Sequence, residues 1–126
     1  MIVITPEPID PAKAYGLITA DAAGSILLHY AVVKPAVVAG AAVKYIDYTA
    51  RGDAEGELED IADSLDSTYF LKDILLIRRT GRLGPGEIIS LVAASSSSSE
   101  DAFETCRQGI SRLKQMKTIV KQDIFA

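Results

Sequence analysis

The stretch 100–126, EDAFETCRQGISRLKQMKTIVKQDIFA, constrains this chain most, because it joins the longest helical pattern to the densest run of lysines. Phe103, Cys106, Ile110 and Leu113 recur at steps of three and four, which is one face of an α-helix, so the rest of the fold must supply an apolar surface to cover them. Glu100 and Asp101 fall in the first turn, where acidic side chains suit the positive helix end, and Ser98 or Ser99 can cap it. The spacing predicts a helix from Glu100 to about Lys117. No glycine or proline closes it, and Thr118, Ile119 and Val120 form a β-branched run that prefers an extended chain.

Lys114, Lys117 and Lys121 follow the apolar stripe. On an unbroken helix they would share a ~60° sector, at ~100° per residue, and that sector overlaps the one holding Phe103 and Ile110. Lysines that only solubilise a helix belong on its opposite side. Two readings therefore stand: the helix stops near Lys117 with a solvated basic end, or the stripe runs out of the core into a cationic pocket.

The preceding chain reads as alternating short elements. Residues 2–5 form a strand, and Asp10-Pro11 makes a cap and first-turn pair for a helix reaching about Ala20. After a turn over 21–24, residues 25–33 are apolar enough for a buried strand that Pro35 ends. Residues 36–42 read as a loop or short strand, 43–48 as a half-buried strand, and 53–65 as a helix with Leu58, Ile61, Ala62 and Leu65 inside and its acids solvated. Strands follow at 74–77 and 87–94, separated by Arg78-Arg79-Thr80-Gly81-Arg82 and a Gly84-Pro85-Gly86 turn. The order β-α-β-β-α-β-β-α, with two hairpins, indicates an α+β fold with antiparallel strands and a long C-terminal helix. At 126 residues it is expected as one domain, 1–126; the serine run 95–99 has the length of an ordinary strand-to-helix connection.

Function classes narrow by exclusion. A net charge of -4 argues against general nucleic-acid binding, so the cations act locally. Cys106, the sole cysteine, is expected as a buried thiol, and His29, the sole histidine, as a satisfied imidazole without partners for a zinc site. There is no P-loop, dinucleotide fingerprint or CxxC pair, and no base near the serines for nucleophilic catalysis. No metal or cofactor is expected. Without a basic leader or a membrane span, a cytoplasmic protein is expected.

From Gly81 and Leu83 the chain runs through Gly86-Glu87, an apolar strand, Ala102-Phe103, Cys106, Ile110 and Leu113-Lys114 to Lys121-Gln122-Asp123. That ordered set resembles the large, catalytic subunit of molybdopterin synthase. Upstream, Gly24 begins a strand ending Ala31-Val32-Val33-Lys34 where the family has Gly-x-Val-Arg, and Tyr45-Ile46-Asp47-Tyr48 stands where it has Tyr-Glu-Ala-Tyr. The resemblance covers about residues 24–125. It implies an α/β-hammerhead arrangement and a homodimer within a heterotetramer. The implied reaction is sulfur transfer from the C-terminal thiocarboxylate of a ubiquitin-like small subunit to cyclic pyranopterin monophosphate, forming molybdopterin.

Holding an anionic phosphate and an anionic sulfur donor together requires cations that tolerate a partly desolvated pocket. The candidates are the lysine stripe, Lys117 included, and the cluster Arg78, Arg79 and Arg82. By position Lys114 matches the family's catalytic lysine beside the thiocarboxylate, Lys121 its second active-site lysine, and Lys34 replaces the arginine of the first-strand motif. The family's His-Arg falls on Ser98-Ser99, its tryptophan on Val120 and its proline on Thr118. The resemblance thus admits two readings: a synthase large subunit, or a noncatalytic relative that keeps the binding site for the ubiquitin-like partner.

Overall fold

The run Ile74-Leu75-Leu76-Ile77 has no polar interruption, and a strand of that kind is stable only when both faces are covered. The computed structural model, which describes residues 1–125, builds the fold around it. In chain order the elements are β1 (Ile2–Thr5), α1 (Pro11–Ala14) with a 3-10 turn at Tyr15–Leu17, β2 (Ser25–Val32), β3 (Val37–Val38) and β4 (Ala41–Ala50). They continue as α2 (Ala54–Thr68), β5 (Asp73–Arg79), β6 (Gly81–Leu83), β7 (Ile88–Ser96), α3 (Ser99–Lys114) and β8 (Ile119–Phe125).

One sheet has the order β1-β5-β7-β2, with β1 parallel to β5 and the other pairs antiparallel. Because side chains alternate, Ile74 and Leu76 of β5 join Val92 and Ala94 of β7 beneath α2 and α3, where they meet Leu58, Ile61, Leu65, Cys106 and Leu113. Leu75, Ile77, Leu91 and Ala93 face the other way and are covered by Ile9, Ala14 and Ile18 from the α1 region. The second sheet is antiparallel and centres on β4, whose residues 46–48 pair with both β6 and β8, so those two strands lie on its opposite edges. A two-residue turn, Ala39-Gly40, links β3 to β4 with positive φ at both positions, the hairpin geometry whose twist matches the strands. Among the described residues no helix is long and apolar enough to cross a membrane.

The α+β architecture with antiparallel pairing is as the sequence indicates, the caps at Asp10 and Ser98 form, and Asp53, read as the first residue of the second helix, is instead its cap. Several boundaries differ. The first helix reaches only Ala14 and its 3-10 extension Leu17, β6 is a strand that the hydrophobic pattern did not reveal, and the extended preference of residues 118–120 continues as the strand β8 to Phe125. Phe103 is 62% exposed, so the buried face of α3 is Ala102, Thr105, Cys106, Gly109 and Leu113.

The long helix stops at Lys114, not Lys117, and the reason is tertiary. Arg78 Nη1 donates to the Leu113 carbonyl at 2.7 Å, satisfying an acceptor that a longer helix would use. The Glu57 carboxylate then accepts the amide protons of Lys117 and Thr118, so the chain there cannot be helical and enters β8. Glu57 is thus no solvated acid of α2, unlike the expectation for that helix. Burial pushes its carboxyl up, but the bonds from the Thr118 hydroxyl and the two amides outweigh this and hold it below the usual glutamate range.

Two outcomes test this packing. A Cβ added at Gly109 would lie 2.8 Å from Val92 Cγ1, a buried β-branched side chain with no room to retreat. Gly109→Ala would gain about 1 kcal/mol of helix propensity and lose about 1–3 kcal/mol to overpacking. The expected net is a destabilisation in chemical denaturation, and a variant more stable than wild type would contradict it. Burial pushes the Cys106 thiol up to about 11, so at pH 8 only ~0.1% is thiolate. A disulfide reagent should label the native protein at least about a hundredfold more slowly than the unfolded chain; equal rates would show that the thiol is accessible.

Candidate active site

Where the end of α3, the strand β8 and the end of β2 converge, they leave a cavity of about 670 Å³. Its wall includes Lys34 just after β2, Arg78 from β5, Lys114 at the last residue of α3, and Lys121 and Asp123 from β8. Four cations therefore face one carboxylate in a chain whose net charge is -4. Among the described residues none of Lys34, Lys114 and Lys121 has a carboxylate within ion-pair distance. Cations grouped in this way around a concave space can hold an anion from outside.

Arg78 forms the floor. It is 8% exposed, its guanidinium lies 5.1 Å from the Tyr48 ring centre, and Nη1 is committed to the Leu113 carbonyl. Nε is buried without a protein partner. Burial lowers its pKa, with Tyr48 opposing that, yet a guanidinium stays charged at neutral pH. Burial likewise raises the Tyr48 hydroxyl, which stays neutral and leaves the ring as a cation-π face. Tyr48 is the register partner of Lys121 across β4 and β8, so one strand pair sets both the platform under Arg78 and the position of Lys121.

The sequence-derived candidates divide by geometry. Lys34, Arg78, Lys114 and Lys121 are brought together on the cavity wall; Arg79, Arg82 and Lys117 are not part of it. Arg79 pairs with Glu87 at 3.0 Å and donates to the Pro6 carbonyl, while Arg82 makes a two-pronged contact with Asp47. Lys117 sits in the turn held by Glu57. The adjacent arginines part because alternate residues of a strand point to opposite faces, a rule the cluster Arg78, Arg79 was subject to from the start. Lys121 reaches the cavity from a strand and not from a helical stripe, so its helical spacing to Lys114 was coincidental.

Further wall residues were missed. Tyr48 and Asp123 line the cavity, and His29 stands between it and a smaller apolar groove near Phe103 and Cys106. The expected satisfied imidazole is not found: Nδ1 of His29 is buried without a hydrogen-bond partner. Alternation along β4 could have flagged Tyr48; only the β4–β8 pairing could have placed Asp123. Ser98 and Ser99 are not on the wall. Ser98 caps α3 through Asp101 N at 3.2 Å, and Ser99 Oγ meets Ser25 Oγ at 2.6 Å.

Comparison with known proteins identifies the fold and the family. The family model described as MoaE protein matches residues 4–116. The molybdopterin synthase catalytic subunit of Thermoplasma volcanium is 28% identical over 125 residues, covering 98% of this chain and 90% of the relative. The crystal structure of molybdopterin synthase from Staphylococcus aureus superimposes with a TM-score of 0.88 at 25% identity, over 98% of this chain and 90% of that one. A Helicobacter pylori complex of subunits 1 and 2 of molybdopterin-converting factor shares the fold, with a TM-score of 0.73 at 13% identity over 98% and 84% of the two chains. The chain belongs to the MoaE protein family, that of the molybdopterin synthase catalytic subunits of molybdenum cofactor biosynthesis.

Proposed function

We propose that this protein transfers sulfur from the thiocarboxylated C-terminus of a ubiquitin-like small subunit to cyclic pyranopterin monophosphate, forming molybdopterin. The observation that carries the reading is the cavity in which Lys34, Arg78, Lys114 and Lys121 converge, with no carboxylate partner for the lysines among the described residues. Phosphate and thiocarboxylate are both anionic at neutral pH and repel each other. Fixed cations in a partly desolvated site offset that repulsion and stabilise charge as it moves from sulfur during transfer. Cys106 is buried, with its thiol pushed up to about 11, so it is unsuited to relay sulfur, in keeping with a donor that arrives on a partner.

In this reading Lys114 lies beside the thiocarboxylate, Lys121 is the second lysine of the reaction, and Lys34 and Arg78 bind the substrate's anionic groups. Arg79 and Lys117, away from the wall, have no part. An extended C-terminal tail is thin enough to enter the cavity while its folded body docks outside, and the Helicobacter pylori complex of two subunits is the precedent for such a partner. A homodimer carrying two small subunits, acting in the cytoplasm, completes the proposal.

One observation favours the second reading, a noncatalytic relative that binds the partner only. Ser98 and Ser99 occupy the positions of the family's His-Arg, and both are engaged in the cap and the contact with Ser25. Reconstitution with a thiocarboxylated small subunit and the pyranopterin substrate decides. Product formation supports the first reading, and partner binding without product the second.

Lys114→Ala should lower turnover by about two to three orders of magnitude while small-subunit affinity stays within about tenfold. Unchanged turnover would remove Lys114 from the chemistry. Lys114→Arg should recover part of the loss if charge alone is used, and little if the compact amine is needed. Sedimentation at micromolar concentration should give a dimer; a single species of 13.5 kDa would refute that part of the proposal.

A further inference from the structure

We infer that Glu57, on the first turn of α2, is a positioning residue that fixes Lys114 and Lys121 relative to each other by bracing the turn between them. The inference rests on the sulfur-transfer reading above. Oε1 of Glu57 accepts from Lys117 N at 3.1 Å, Thr118 N at 3.0 Å and Thr118 Oγ1 at 2.6 Å, and Oε2 accepts from Lys117 N at 3.0 Å. On the other side, Arg51 N donates to the Thr118 carbonyl at 2.7 Å. Thr118 is thereby held through its amide, its hydroxyl and its carbonyl.

Residues 115–118 are all that separates the last residue of α3 from the first of β8. Within them the other backbone bonds are the two at the helix end, from Gln115 N to Arg112 O at 3.2 Å and from Met116 N to Leu113 O at 3.4 Å. No glycine or proline sets the shape of this turn, so its shape comes from the carboxylate. The pairing of β8 with β4 begins at the next residue, Ile119 opposite Ala50. Because strand side chains alternate, a slip of one residue there would carry Lys121 to the other face of the sheet and out of the cavity. Glu57 is absent from the cavity wall, so its effect on substrate is through the lysines alone.

The test compares Glu57→Ala, Glu57→Gln and Thr118→Val in the full chain, using the thiocarboxylated small subunit, with wild-type turnover as the separate check on the parent reading. Glu57→Ala should lower kcat per folded molecule by about ten- to a hundredfold with KM within about threefold. The Lys117 and Thr118 amides should exchange with solvent at least about tenfold faster. Glu57→Gln keeps the Oε1 acceptor for Thr118 but sets an NH2 where Oε2 accepts from Lys117 N, so it should recover part of kcat, and Thr118→Val, which removes one bond of the brace, should cost a few-fold. The last two keep the test decisive if Glu57→Ala fails to fold. An active wild type with unchanged kcat in the variants, whatever their melting temperatures, overturns the positioning role and leaves the sulfur-transfer reading standing. A loss of kcat in Glu57→Ala with the Lys117 and Thr118 amides exchanging no faster than in the wild type overturns it too, because the brace would then not be responsible. A wild type without turnover refutes the parent reading and this inference with it.

Discussion

A guanidinium removed from water without a carboxylate beside it must be compensated elsewhere, and the way this is done for Arg78 ties the molecule together. Arg78 leaves the first sheet from β5, lies over the Tyr48 ring of the second sheet, and donates to the last turn of α3. The partners are a π face and a carbonyl at the negative end of a helix dipole, both of which attract positive charge without neutralising it. A carboxylate beside Arg78 would have compensated its charge more directly but would have cancelled it at the cavity. The two sheets, the helix end and the positive floor thus depend on one side chain.

The same economy governs the acids. Acidic residues outnumber basic ones, 17 to 13, yet several of them are engaged away from the cavity. Asp47 faces Arg82, Glu87 takes Arg79 and the Gly84 amide, and Glu57 takes backbone amides and a hydroxyl. Among the described residues Asp123 is the one acid on the wall. Local positive potential in an acidic protein is here a matter of which carboxylates are already satisfied, not of net charge.

Elements whose stability is local were legible in the sequence. The helix α2 announces itself through Asp53 and the spacing of Leu58, Ile61 and Leu65; β5 and β7 do so through length and apolarity; and the start of α3 through Ser98, Glu100 and Asp101. What escaped depends on distant partners. The end of α3 is set by Arg78 and Glu57, which lie 35 and 60 residues from the groups they hold. The strands β6 and β8 are short or half exposed and exist because β4 pairs with them. Phe103 fits the helical stripe, yet the sheet beneath α3 does not extend to it. Of the site, charge type was readable and grouping was not: Lys34, Arg78, Lys114 and Lys121 come from four elements or their ends, and only their tertiary meeting separates them from Arg79 and Lys117.

The pairing of β8 with β4 has a consequence in time as well as in space. It closes a loop of about 70 residues, and contacts so far apart in sequence repay their entropy late. The core beneath α2 and α3 owes most of its apolar contacts to β5, β7 and the two helices, with Ile119 the contribution of β8. A chain can therefore possess most of the core beneath α2 and α3 before Lys121, Asp123 and the Tyr48 platform face one another. The hydrophobic interior and the charged recess are in this sense separate achievements of folding, and an opening of the final strand would dissolve the recess while leaving the interior largely dry.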